Sequence, residues 1–183
     1  MSSSIRWTIR AALAQDHLLR IYRAEIENGW STGYVVGIGP VFFALQLVDN
    51  ACRFDGYLCL RYADVTGCET APHADFITKA LAARGLTRSD APALDLSSLE
   101  TLLHSAGAAF PLVTIHIEDV DEEVCYIGRV AKVTAKQLTL HEVDPDGSWE
   151  TSPSHYNLGD VTRVDFGGAY EEALWLIAAL RAP

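Results

Sequence analysis

The sequence predicts a mostly β chain with helices, an α+β protein built from two tandem five-stranded antiparallel barrels with flanking helices. Three observations carry this. Each half holds five short apolar or alternating runs, too close together for crossover helices. A helix-start signal stands ahead of the runs in the second half, at "DLSSLETLLHSAG". And "GDVTRVDFGG", 159–168, has an echo in "ADVTGCE", 63–69.

The echo extends along the chain. A displacement of 95 places Gly33 on Gly128, Val35 on Val130, Ile38 on Val133, Leu45 on Leu140 and Val48-Asp49 on Val143-Asp144. A displacement of 96 places Leu19 on Ile115, Ile21 on Ile117 and Asp64-Val65-Thr66 on Asp160-Val161-Thr162. A one-residue slip in a turn reconciles the two. Ordered matches over about 50 residues are the mark of a repeated unit.

The first unit is expected over 1–86. A helix lies within 4–16, with Arg6 and Arg10 on its wet face. Strands lie near 17–26, 32–39, 41–49, 56–62 and 64–68. Pro72 then opens a second helix and Gly85 closes it. Residues 87–95, within "LTRSDAPALD", are the expected linker. The second unit is expected over 96–183. Ser97 and Glu100 form its capping box, Leu96, Leu99 and Leu103 its apolar stripe, and Gly107 suits the helix end. Strands follow at "LVTIHIED", "EVCYIGRVAKVT", "QLTLHEVD", "WETSPSHYNL" and "VTRVDF", and "YEEALWLIAAL" closes the unit as a helix. Gly33 and Gly128 fall inside long second strands, where glycine permits the bend or bulge of a curling sheet. A small sheet buries one face by such curling.

This element order resembles the Sm-like small barrel, a relative of SH3-like barrels, and the resemblance covers most of each half. It is a likeness of order, not of motif. It implies RNA binding through an Asp/Asn loop and an Arg-Gly pair. "LVDN", 47–50, stands at a strand end, its counterpart is "EVDP", and neither closing segment contains Arg-Gly. No binding residue is therefore carried over from the family.

Charge points the same way. The net charge of -10 lies entirely in 86–183, with six Lys/Arg against sixteen Asp/Glu; residues 1–85 carry eight of each. An acidic half repels phosphate backbones. Nucleic acid is thus a disfavoured partner, with Arg20, Arg23, Arg53 and Arg61 as its only sensible contacts. No run reaches the ~18 apolar residues of a membrane span, and "MSSSIRWTIRAALAQDH" lacks a signal-peptide core. Cys52, Cys59, Cys68 and Cys125 show no C-x2-C spacing, so free thiols in a reducing cytoplasm are expected.

No residue is assigned as catalytic, cofactor-binding or metal-binding. "HEVDPDGSW" is a tight turn at Pro145-Asp146-Gly147 rather than a calcium loop, since strands flank it. "DVDEE", 119–123, is a solvated loop. His116 and His141 lie on separate strands and lack a third ligand. "GYVVGIG" is not a dinucleotide fingerprint, and no G-x-S-x-G elbow is present. Asp64 and Asp160 are expected to bond their own turn backbones. "ALWLIAAL", 173–180, is apolar on nearly every side. It is expected to bury Leu174, Trp175 and Ile177 against the helix around Ile77, Ala80 and Leu81, or against a partner. The expected function is a binding or scaffold protein acting through protein contacts, with a protein partner or self-association. The alternatives are an Sm-like RNA-binding regulator and an enzyme with a site between the two barrels.

Overall fold

The computed structural model describes residues 2–88 and 90–181. The chain divides into two compact units, 1–92 and 93–183. The first contains α1 (Ser2–Gln15), β1 (Leu18–Tyr22), β2 (Ser31–Ile38), β3 (Phe42–Val48), β4 (Phe54–Arg61), β5 (Gly67–Thr70) and α2 (Ala74–Ala83). The second contains α3 (Leu99–Ala109), β6 (Val113–Ile117), β7 (Asp121–Val133), β8 (Gln137–Glu142), β9 (Ser154–Asn157), β10 (Arg163–Phe166) and α4 (Ala169–Ala178). A short 3-10 turn precedes the last strand of each, at Tyr62–Asp64 and Leu158–Asp160.

Within the first unit the strands pair in the order β5-β1-β2-β3-β4, all antiparallel. Within the second the order is β10-β6-β7-β8-β9, again antiparallel. The registers correspond pair by pair. Val35 faces Leu45, and Val130 faces Leu140. One step on, each ladder slips at a bulge, between Val35 and Gly37 and between Val130 and Lys132. Phe42 faces Arg61 as Gln137 faces Asn157. Val48 faces Phe54 as Val143 faces Trp149. The turns agree too. Cys52 N donates to Asp49 O at 3.0 Å and Gly147 N to Asp144 O at 2.8 Å, with φ of 54° and 81° at the donors.

The repeated Asp-Val-Thr owes its role to the threonine. Thr66 N donates to Tyr22 O, and Thr162 N to His116 O, both at 2.9 Å. The hydroxyls repeat the pattern: Thr66 Oγ1 accepts from Ala24 N at 2.9 Å, and Thr162 Oγ1 accepts from Glu118 N at 3.3 Å. Each threonine thus ties the last strand to the end of the first. The aspartates do something else. Asp64 receives two bonds from Arg61, at 2.7 and 2.9 Å, and Asp160 one from Asn157 Nδ2 at 3.2 Å. Side chains, not turn backbone, hold them.

Both faces of each ladder are apolar, and helices cover both. Ile9 and Ala12 of α1 pack with Leu19, Ile21, Val35, Phe43, Leu45, Leu58 and Leu60 on one face. Leu81 of α2, with Ile77, packs with Leu18, Tyr34 and Val48 on the other. Successive residues such as Leu18 and Leu19 therefore enter opposite layers. Each fully buried leucine contributes about 2 kcal/mol by area. In the second unit α3 buries Leu102, Leu103 and Ala106, and packs on β6 and β7. The first unit buries Leu58 and Leu60, and the second Leu138 and Leu140.

Several expectations need correction. The pairings do not close into barrels: among the described residues, β4 does not pair with β5, nor β9 with β10. Helices on both faces do the burying that curling was expected to do. Gly33 and Gly128 stand two residues before the bulges, and close approach explains them. A Cβ on Gly33 would lie 2.6 Å from Gln46 O, and one on Gly128 would meet His141 O. The register also pairs Leu19 with Gly33 and Val113 with Gly128, so Leu19 corresponds to Val113 rather than Ile115. The slip is by two, which keeps the same face inward. The α3 cap is Ser98 with Thr101, not Ser97 with Glu100; Ser98 Oγ accepts from Thr101 N at 3.1 Å. Gly107 lies inside α3, where a Cβ would strike Val130.

Thr162→Val removes a buried hydroxyl from this tie and should cost about 1–3 kcal/mol. Gly128→Ala should cost at least as much, since its obstacle is backbone. Urea melts monitored by circular dichroism measure both; unchanged midpoints would contradict the assigned contacts.

Candidate functional site

The most distinctive surface in the second unit is built by α4. Gly167, at φ 68°, turns the chain out of β10, and Gly168 caps the helix. Glu171 and Glu172 lie in the first turn, where the helix dipole favours carboxylates. The downward face then buries Leu174 and Ala178 with Leu112 and Val143, and Ile127, Trp149 and Trp175 pack around them. Trp149 Nε1 donates to Ala178 O at 3.0 Å, satisfying a carbonyl at the helix end. The Arg129 guanidinium lies 5.0 Å from the Trp149 ring and 5.3 Å from the Trp175 ring, and the two indoles meet edge to face.

The upward face is also apolar. Ala173, Leu176 and Ile177 follow one another at helical spacing, Leu180 follows in the 3-10 turn Ala179–Arg181, and all are exposed. Leu176 keeps 69%, Ile177 45% and Leu180 84% of its accessible surface. This corrects the expected burial of Ile177. It also explains why the segment reads as apolar all round: one side seats the helix on its own sheet and the other faces out. The helix around Ile77 and Leu81 is likewise spent on its own sheet.

Beside this stripe opens a cavity of about 300 Å³, walled by Phe110, Leu112, Trp175 and Leu176, with Glu171 and Glu172 also lining it. Its walls are fixed. The Phe110 ring packs on Phe166 at 4.9 Å between centroids and also abuts Gly167, where a Cβ would collide with it. Thr114 Oγ1 donates to Glu171 Oε1 at 2.6 Å and holds that carboxylate in place.

A polar row lies further along the same sheet. The register sets Cys125 opposite His116, and His116 opposite Arg163. Arg163 donates to Asp165 through Nε at 2.8 Å and Nη2 at 3.0 Å, and His116 Nε2 reaches Asp165 Oδ2 at 3.1 Å. Burial alone would raise the Asp165 carboxyl, but the His116 hydrogen bond and the Arg163 charge and bonds outweigh it and hold it below the ordinary range. The Cys125 thiol is raised, by lost hydration first and then by the Asp165 charge, with Arg163 opposing. A raised thiol stays protonated and is a poor nucleophile. The row is an ion cluster rather than an activated cysteine.

The other sequence candidates do not assemble. His116 and His141 lie on either side of β7, opposite Cys125 and Arg129, roughly 13 Å apart along the strand. His141 Nε2 instead bonds Glu150 O at 2.8 Å. Among the described residues no group of three His, Cys, Asp or Glu is placed to hold a metal. Asp144 and Asp146 serve the expected turn: Asp144 N donates to Ser148 O at 2.8 Å. In "DVDEE" the side chains of Glu122 and Glu123 lie outside the described residues; Val120 N closes a turn on Ile117 O. Of the four arginines, Arg23 is buried and paired to Glu27 at 2.9 Å, Arg61 is held by Asp64, and Arg20 stacks on Trp30 at 4.1 Å. Only Arg53 is exposed. Among the described residues no helix is long and apolar enough to cross a membrane.

No family model, no curated protein and no solved structure matches this chain. The site therefore has to be interpreted from its own chemistry.

Because the folded Asp165 carboxyl is depressed, its ion cluster adds stability in full above the unfolded value of about 3.9 and loses it as pH falls through the folded value. Wild type should exceed Asp165→Asn in urea midpoint at pH 7, and the gap should close in acid below that value. A gap independent of pH would contradict the charge assignment. Trp175→Asp should lower the melting temperature, since it places a carboxylate among Leu112, Val143 and Trp149; an unchanged melt would refute the seating of α4.

Proposed function

We propose that the chain is a binding scaffold made of two tandem Sm-like or SH3-like units, and that it acts through protein–protein contacts made by α4. The matching registers, bulges and threonine ties of the two ladders support the duplication. The element order of helix, five strands and helix supports the Sm-like assignment. The four cysteines stand outside any disulfide, which suits a reducing compartment such as the cytoplasm.

The observation that carries the functional reading is the exposed stripe of Leu176, Ile177 and Leu180. A helix needs one apolar face to hold its place on a sheet, and α4 has two. A contiguous exposed apolar patch beside a fixed cavity marks an interaction surface. The flanking carboxylates Glu171 and Glu172 favour a partner surface that is apolar with basic neighbours.

A photo-crosslinking residue placed at position 180 in cells tests this. Discrete protein adducts are expected there, absent from a control probe at exposed position 151 and lost in Leu176→Asp. Leu176 is exposed, so that variant should stay within about 0.5 kcal/mol of wild-type stability. No adduct at position 180, or equal adducts at both positions, would overturn the reading.

A further inference from the structure

The stripe and its cavity have an opposite elsewhere on the chain. Helix α1 carries Arg6 and Arg10 and no acidic residue. Its buried side, Ile9 and Ala12, is taken up by its own sheet. Arg6, Trp7 and Arg10 are exposed, and Trp7 keeps 71% of its accessible surface. Arg6 is held in place, with its guanidinium 3.9 Å from the centroid of the Tyr62 ring and Nη2 donating to Pro40 O at 2.9 Å. A large exposed indole flanked by two arginines on a braced helix is the reverse of what the second unit offers. There the cavity has apolar walls, two carboxylates and an exposed leucine.

We infer that the α4 cavity receives Trp7 of a second copy of this chain. This rests on the reading of α4 as a protein-contact surface and names its occupant. Size, polarity and charge all agree. A cavity of about 300 Å³ is about ten waters' worth of space, enough for one aromatic side chain. An indole buries about 150–250 Å² on docking and is a favoured anchor at interfaces. Arg10, one turn beyond Trp7, would meet Glu172, and the guanidinium–carboxylate pair would set the direction of docking. Trp7 is exposed, so α1 does not spend it on the sheet of its own unit. Net charge opposes indiscriminate self-association of a chain at -10, which makes the local match of a +2 helix to a -2 helix the determining contact. Donor and acceptor surfaces differ, so the contact is head to tail and propagates from copy to copy unless it closes into a ring.

Charge exchange tests the pairing. Sedimentation velocity on the full chain, from low micromolar to submillimolar concentration, should show mass rising above 20.0 kDa. Arg10→Glu and Glu172→Arg should each remain at the monomer mass, since each sets like charges against one another. An equimolar mixture of the two should associate again, because each copy then meets its complement. Trp7→Ala should weaken association by about tenfold or more. Both charge sites and Trp7 are exposed, and circular dichroism verifies that the variants fold. Wild type that stays monomeric throughout overturns the inference. So does association that survives the single variants, or a mixture that fails to regain it. A monomeric chain that still forms α4 adducts with a foreign protein sinks this inference and leaves the protein-contact reading standing; a chain with neither loses both.

Discussion

The return of the last strand to the first is the constraint on which each unit depends. A five-stranded meander that simply ran outward would set its final strand beside the fourth, not the first. Thr66 and Thr162 prevent this by tying that segment to Tyr22 and His116 through both backbone and hydroxyl. Once tied, β5 and β10 run antiparallel to β1 and β6, and the chain emerges beside the start of the first strand. The following helix is then delivered onto the face that α1 or α3 leaves uncovered. In the first unit it lands on Leu18, Tyr34 and Val48, and in the second on Leu112 and Val143.

The same geometry accounts for the difference between the two closing helices. Both have one side occupied by a sheet. In α2 the outward residues include Asp75, Thr78 and Lys79 along with Phe76, so the helix has a mixed wet face. In α4 the outward residues are tyrosine, alanine, leucine and isoleucine, with carboxylates only in the first turn. Corresponding elements thus differ in surface, not in placement, and the second unit carries the more apolar outward face.

Much of the element order is legible in the residues. Alternation marks most strands, and Gly85 and the Asp-Pro-Asp-Gly turn behave as local chemistry dictates. The errors fall where two residues compete or where a partner is remote. Ser97 and Ser98 are both competent caps, and the choice falls to Ser98 because Thr101, not Glu100, sits three residues on and closes a reciprocal box. Gly107 looks like a helix terminator, but it is required by Val130 of a strand more than twenty residues away. The helices that cover both sheet faces are visible as apolar segments, while the faces they cover are not, which is why curling into a barrel looks necessary from sequence alone. The site is less legible still. Nothing local announces that His116, Arg163 and Asp165 share one side of a sheet, because that follows from register. Nor does an all-apolar helix state which side will be wet.

The central claim is that in each unit a threonine tie fixes the last strand beside the first, and hydrogen exchange resolved at single amides tests it most directly. The account predicts that the amides of Thr66 and Thr162 are protected and exchange together with the central strand amides of their own units, such as Leu45 and Leu140. Exchange at either threonine as fast as in an unstructured peptide, while the central strands stay protected, would contradict it.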